Sequence, residues 1–164
     1  MLEGKLTKSA AARTVSVDGG DAMVFLHTPR PPTRDEWVQC MEMLERRAAT
    51  GGFSKARVLV VTDGGGPDVV MRGELQAFFK KHGHAPKTAV VTTSVFSRGI
   101  VTAVGWFNPN IKAFAPVHFQ AALEHLGLTR AGPRLLRELT EMERELVPNS
   151  CLSLIRDSGE SPKA

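Results

Sequence analysis

At 164 residues, 42% hydrophobic and 23% charged, the chain has the length for one domain with a core, and its composition excludes a collagenous, wholly disordered or membrane-spanning class. Its net charge of +4 is concentrated in the middle. Between Val69 and Lys112, Arg72, Lys80, Lys81, Lys87, Arg98 and Lys112 stand against Glu74 alone, which suits an acidic partner surface, an anion or an anionic membrane. Lys80 and Lys81, just ahead of Gly83, are read as complementing a helix dipole. Cys40 and Cys151 are far apart and lack zinc spacing, and residues 1–13 hold no apolar segment of the kind a secretory signal needs, so a reducing, cytoplasmic setting is expected.

In chain order, residues 1–13 read as a flexible start. Thr14–Val17 and Ala22–Leu26 flank Asp18-Gly19-Gly20-Asp21 and predict a hairpin. Thr33 and Glu36 have capping-box spacing ahead of a helix carrying Trp37, Met41, Leu44 and Ala48 on one face, ended by Gly51-Gly52. Val58–Thr62 is a buried strand. Met71, Leu75, Phe78 and Phe79 then recur at helical spacing up to His82-Gly83-His84. Thr88–Thr92 predicts a further strand, and Ser94 an N-cap for a helix with Phe96, Ile100, Ala103, Val104 and Phe107 inward. Val95, Arg98, Thr102 and Trp106 lie elsewhere on that helix; tryptophan and arginine are residue types enriched at interfaces, although core packing is the commoner fate of a tryptophan. Asn108-Pro109-Asn110 leads into a short strand, Ile111–Phe114, and Pro116 into a helix with Phe119, Leu123 and Leu126 inward, closed by Gly127. After Gly132-Pro133, Leu135, Leu139, Met142 and Leu146 mark an added helix within 128–157, expected to dock on its own sheet, and 158–164 reads as a disordered tail.

The order is ββαβαβαβα. It predicts an α/β fold, a single-domain mixed sheet flanked by helices over 14–127, with an extra C-terminal helix. The informative stretch is Asp63-Gly64-Gly65-Gly66-Pro67, which breaks a strand at the carboxyl end, where open α/β sheets place ligands and partners. Three glycines could bring amides to an anion. A nucleotide-hydrolysing loop, however, carries lysine followed by serine or threonine where this chain has Asp68, Val69 and Val70, so a turn needing positive φ is the preferred reading. His82 and His84, like His118 and His125, lack a nearby carboxylate or cysteine to complete a metal site, and neither Ser94 nor Ser97 sits in a nucleophile elbow. No catalytic residue, metal or cofactor is expected.

The element order, the Asp-led turn, and the runs Ala89–Ile100 and Trp106–Phe114 resemble the STAS fold of anti-sigma factor antagonists and STAS-like bacterial proteins. In that family a serine following the acidic residue of this turn is phosphorylated by a kinase partner. Asp63 matches the acidic position and Gly64 stands where that serine would be, so the resemblance implies the scaffold without its switch. The expected function is a non-enzymatic regulatory or adaptor protein, cytoplasmic and concerned with signalling, that binds an acidic protein partner at the turn and neighbouring helices. The residues assigned to binding are Asp63, Gly64, Gly65, Gly66, Asp68, Arg72, Ser94, Arg98, Thr102 and Trp106. On this reading a bulky residue at Gly65 abolishes capture and spares the fold. The alternative is a small anionic ligand or lipid headgroup on the glycine amides, with Arg72, Lys87 and Arg98 supplying charge. An enzyme would need a pocket with two convergent titratable groups. Basic residues without interleaved aromatics speak against nucleic acid. A homodimer stays open.

Overall fold

The hairpin forms as the turn residues dictate and is longer than expected. In the computed structural model, which describes residues 8–51, 53–83, 85–105 and 108–159, β1 (Ala10–Val17) pairs antiparallel with β2 (Gly20–His27). Gly19 in the turn and Gly20 at the start of β2 take φ of +82° and +135°. Because β1 begins at Ala10, the flexible start expected over 1–13 is ordered strand from that residue on. Residues 1–7 and 160–164, on which the rest of the expected start and tail falls, lie outside the described residues, as does His84.

β3 (Arg57–Thr62), β4 (Lys87–Thr92) and β5 (Ile111–Phe114) run parallel to β2, giving a five-stranded mixed sheet in the order β1-β2-β3-β4-β5. The links are α1 (Arg34–Ala49), α2 (Val69–His82) and α3 (Val95–Gly105). Each link steps the same way along the sheet, so right-handed crossovers stack all three on one face. On the other face lie α4 (Phe119–Leu126), α5 (Gly132–Glu143) and α6 (Ser150–Gly159), packed on β4 and β5, on β1 and β2, and on β3 respectively. Covered on both sides, β2 is buried without a break from Ala22 to His27.

Local signals set the helix ends. Thr33 and Glu36 form the expected capping box, the Ser94 hydroxyl accepts from the Ser97 amide at 3.1 Å, and Gly83 and Gly127 close α2 and α4 in the left-handed conformation. Pro116 lies in a single 3-10 turn, and α4 starts three residues later at Phe119.

Alternation along the strands divides the core in two. Val24, Leu26, Leu59, Val61 and Val91 meet Leu123, Leu135, Leu139, Met142, Leu152 and Ile155 under α4, α5 and α6. Met23, Phe25 and Val58 meet Trp37, Leu44, Phe53, Met71 and Phe78 under α1 and α2, where Phe53 and Phe78 pack edge to face at 5.4 Å. The Glu74 carboxylate ties those two helices together, accepting from Arg34 at 2.8 Å and from the Trp37 indole at 2.7 Å, and these bonds, the Arg34 one foremost, lower its pKa.

The C-terminal region departs from the expectation. The added helix ends at Glu143, Leu146 is buried in the connecting turn, and a second helix, α6, starts after Pro148. Both helices share the core of the strands, so no seam falls at Gly127. Ser158 and Gly159, assigned to the tail, complete α6.

Candidate functional site

At the end of β3 the turn is held by bonds to three other parts of the chain. The Asp63 amide donates to the His27 carbonyl at 3.1 Å. Its carboxylate accepts from the amides of Ser150 at 2.8 Å and Cys151 at 2.7 Å, the first residues of α6. Asn149 completes that cap: its side-chain oxygen accepts from the Leu152 amide at 2.9 Å, and its side-chain nitrogen donates to the His27 carbonyl at 2.9 Å. A carboxylate on the open amides of a helix start is a stabilising use of an acid. Asp63, expected to bind a partner, spends its carboxylate on this internal cap. Sequence spacing could not reveal it, because the two helix residues lie 87 and 88 positions away.

The glycines divide by cause. Gly64 has φ of +114° and alone of the three meets the expected need for the left-handed region; its amide donates to the Thr62 hydroxyl at 3.0 Å. Gly65 answers to space. A Cβ there would lie 2.1 Å from the Thr28 carbonyl oxygen and 2.2 Å from that of Arg30, and its own amide donates to the Thr28 carbonyl at 2.9 Å. A bulky residue at Gly65 must push backbone aside, so the expectation that the fold would be spared is withdrawn. Nothing lies within 4 Å of a Cβ at Gly66.

These bonds bear on the anion alternative. The amides of Asp63, Gly64 and Gly65 are all spent inside the chain, and the Asp68 carboxylate already accepts from the Met71 amide at 2.9 Å at the start of α2. An anion would meet a carboxylate in the place of greatest positive potential. Arg72 and Arg98 turn their guanidinium groups onto their own turns, donating to the Pro67 carbonyl at 2.9 Å and the Thr92 carbonyl at 2.8 Å. Lys87 begins β4 at the opposite end of the strand. The three charges of the ligand reading do not converge.

Outward at this rim are apolar side chains. Val69 and Val70 at the start of α2 are 74% and 68% exposed, and Val95 at the start of α3 is 74% exposed. The two turns adjoin, since a Cβ at Gly64 would sit 3.8 Å from that of Ser94. Arg72 and Arg98 lie three residues after Val69 and Val95 on the same helices, and Arg30, whose carbonyl faces Gly65, is exposed like Arg72. The side chain of Thr102 and all of Trp106 lie outside the described residues, so that part of the expected surface is left aside.

His27 escaped the sequence reading. It ends β2 at 5% exposure, and its Nδ1 has no hydrogen-bond partner. Burial pushes its pKa down to about 4, so the ring is held neutral. The signal available was a histidine closing an otherwise unbroken apolar run. The cysteines are packing groups: burial pushes the Cys40 thiol up to about 11 and, with Asp63 nearby, the Cys151 thiol up to about 12, far from thiolate chemistry. A larger concavity, about 510 Å³, lies away from the turn beside α1 and α2, between Trp37, Val38 and Met41 with Glu42, Glu45 and Arg46 on its rim. Among the described residues no group of three metal-ligating side chains comes together, and no helix is long and apolar enough to cross a membrane.

No protein-family model matches the chain, and no curated protein does. A solved structure from Shewanella loihica PV-4, described as an uncharacterized protein of the DUF3478 family with a SpoIIAA-like fold, superposes with a TM-score of 0.55 at 17% identity, covering 73% of this chain and 94% of that one. The strand order, the helices on both faces and this likeness together give the chain a SpoIIAA-like, STAS-type fold.

Proposed function

We propose that the protein is a non-enzymatic regulatory or adaptor module that binds another protein at the carboxyl rim of its sheet. The docking surface is formed by Val69, Val70 and Val95, and not by the turn's acid and glycines. The observation that carries this reading is the exposure of all three valines at about 70% on the first residues of two neighbouring helices, where water is the costlier neighbour for an apolar side chain. The arginines near them suit a partner with an apolar centre and an acidic margin. With Gly64 in the place of the phosphorylatable serine, control of binding by phosphorylation of that residue has no hydroxyl to act on.

The test is capture from a native lysate on immobilised wild type, on Val70→Glu/Val95→Glu, and on Val38→Glu, a like charge on α1. The expected result is one or more proteins retained by wild type and Val38→Glu and lost from the double variant, with retention weakened by salt. Equal recovery on all three matrices would end this reading.

A further inference from the structure

The two edges of the sheet are treated differently. Edge strands are usually blunted by shortness, proline, bulges or charge, because their open backbone groups pair with other chains. β5 follows that practice, with four residues and an exposed Lys112. β1 does not. It has eight residues, no proline and an unbulged register with β2. Its one charge, Arg13, is drawn off to α5, where it donates to Glu138 at 3.0 Å and Glu141 at 3.1 Å. The Thr28 amide donates to the Ser9 carbonyl, which fixes the alternation of the ladder. By that alternation Ala10, Ala12, Thr14 and Ser16 turn both backbone groups away from β2, and no other described backbone reaches them.

Beside this open edge, on the face where Ala12 packs with α1, lies a groove of about 390 Å³. Its lining includes Thr14 from the edge, Met43, and Arg46 and Arg47, against the single acid Asp21, while Arg13 borders it with its guanidinium committed to α5. Arg47 spends one nitrogen on Thr50 and the Gly51 carbonyl, while its Nε is buried without an acceptor. Arg46 is exposed.

We propose that β1 and this groove take up an extended acidic segment of another protein as a sixth strand. Backbone bonds to Ala12 and Thr14 would supply the pairing, and carboxylates on alternate side chains would lie over Arg46 and Arg47. Side chains on the other alternation would meet the glutamates of α5, so they should be neutral. A second copy of this chain fits poorly. A two-fold through paired β1 strands keeps both α1 helices on one face of the joined sheet and sets the arginines of each across from those of the other. The site is separate from the valine rim and does not depend on it.

The probe is a fluorophore-labelled octapeptide alternating glutamate and threonine, followed by anisotropy, with amide exchange of β1 measured alongside. Binding should slow exchange at Ala12 and Thr14. Affinity should fall about tenfold or more for Arg46→Glu, for Thr14→Pro, which deletes an outward donor, and for the peptide N-methylated at alternate residues. If Thr14→Pro fails to fold by circular dichroism, the methylated peptide asks the same question of the ligand. Absence of binding, equal affinity for the methylated or a lysine-threonine peptide, or a concentration-dependent dimer that protects β1 on its own would each overturn the proposal.

Discussion

The inner and outer sides of the 63–68 turn are built for different ends. On the inner side, Asp63, Gly64 and Gly65 have their amides and carboxylate engaged with β2, the end of β3, the 28–30 segment and the start of α6. On the outer side, Val69, Val70 and Val95 contribute little to any core. The residues that draw the eye in the sequence are thus bound up in the fold, and the ordinary ones beside them are the ones our proposal assigns to a partner. A glycine run marks where backbone must come close, and the thing it approaches can be the chain itself.

The sharpest way to break this comparison is Gly65→Val. If the inner side is structural, the collision with the Thr28 and Arg30 carbonyls should cost roughly 4 kcal/mol or abolish folding, measured by urea denaturation. A stable Gly65→Val protein would return the glycines to the docking surface.

His27 gives the next effect. Its folded pKa of about 4 lies below the 6.5 of the unfolded chain, so its contribution to stability is present above pH 6.5 and is lost as pH falls toward 4. The loss should approach about 3 kcal/mol and be absent in His27→Leu, whose unfolding midpoints should depend less steeply on pH across that window. Identical pH profiles would show that the buried ring does not govern acid stability.

Asp63→Ala should cost about 1–2 kcal/mol and speed amide exchange across 150–159 without touching capture. Lost capture with unchanged exchange would instead restore Asp63 to the interface. Smallest in stability is Val70→Glu/Val95→Glu, expected within about 0.5 kcal/mol of wild type by the same denaturation, because exposed positions change stability little. A large loss would mean the valines are packed after all.

Most of the fold was legible because its signals are local. The capping box at Thr33 and Glu36, Ser94, and the terminating Gly83 and Gly127 each act within a few residues, and the apolar runs of β2, β3 and β4 are those of strands covered on both faces. The C-terminal pair was read as one helix because Leu135 to Leu146 keep helical spacing beyond the point where α5 stops; Pro148 and Asn149 ahead of Cys151, Leu152 and Ile155 were the missed restart. The site was less legible. Asp63 and Gly65 each satisfy a need set by residues distant in sequence, and the residue pattern around them reads the same whether the neighbour is a partner or the chain's own later helix.

The Asp63 carboxylate rests on amides 87 and 88 residues further along, so the rim cannot reach its final form during synthesis until Ser150 and Cys151 have been made. A nascent chain ending before Ser150 still leaves the Asp63 carboxylate without these donors and a bare apolar strip over β3. The helix at 150–159 thereby acts as a latch on this turn, closed only after every strand of the sheet has been made.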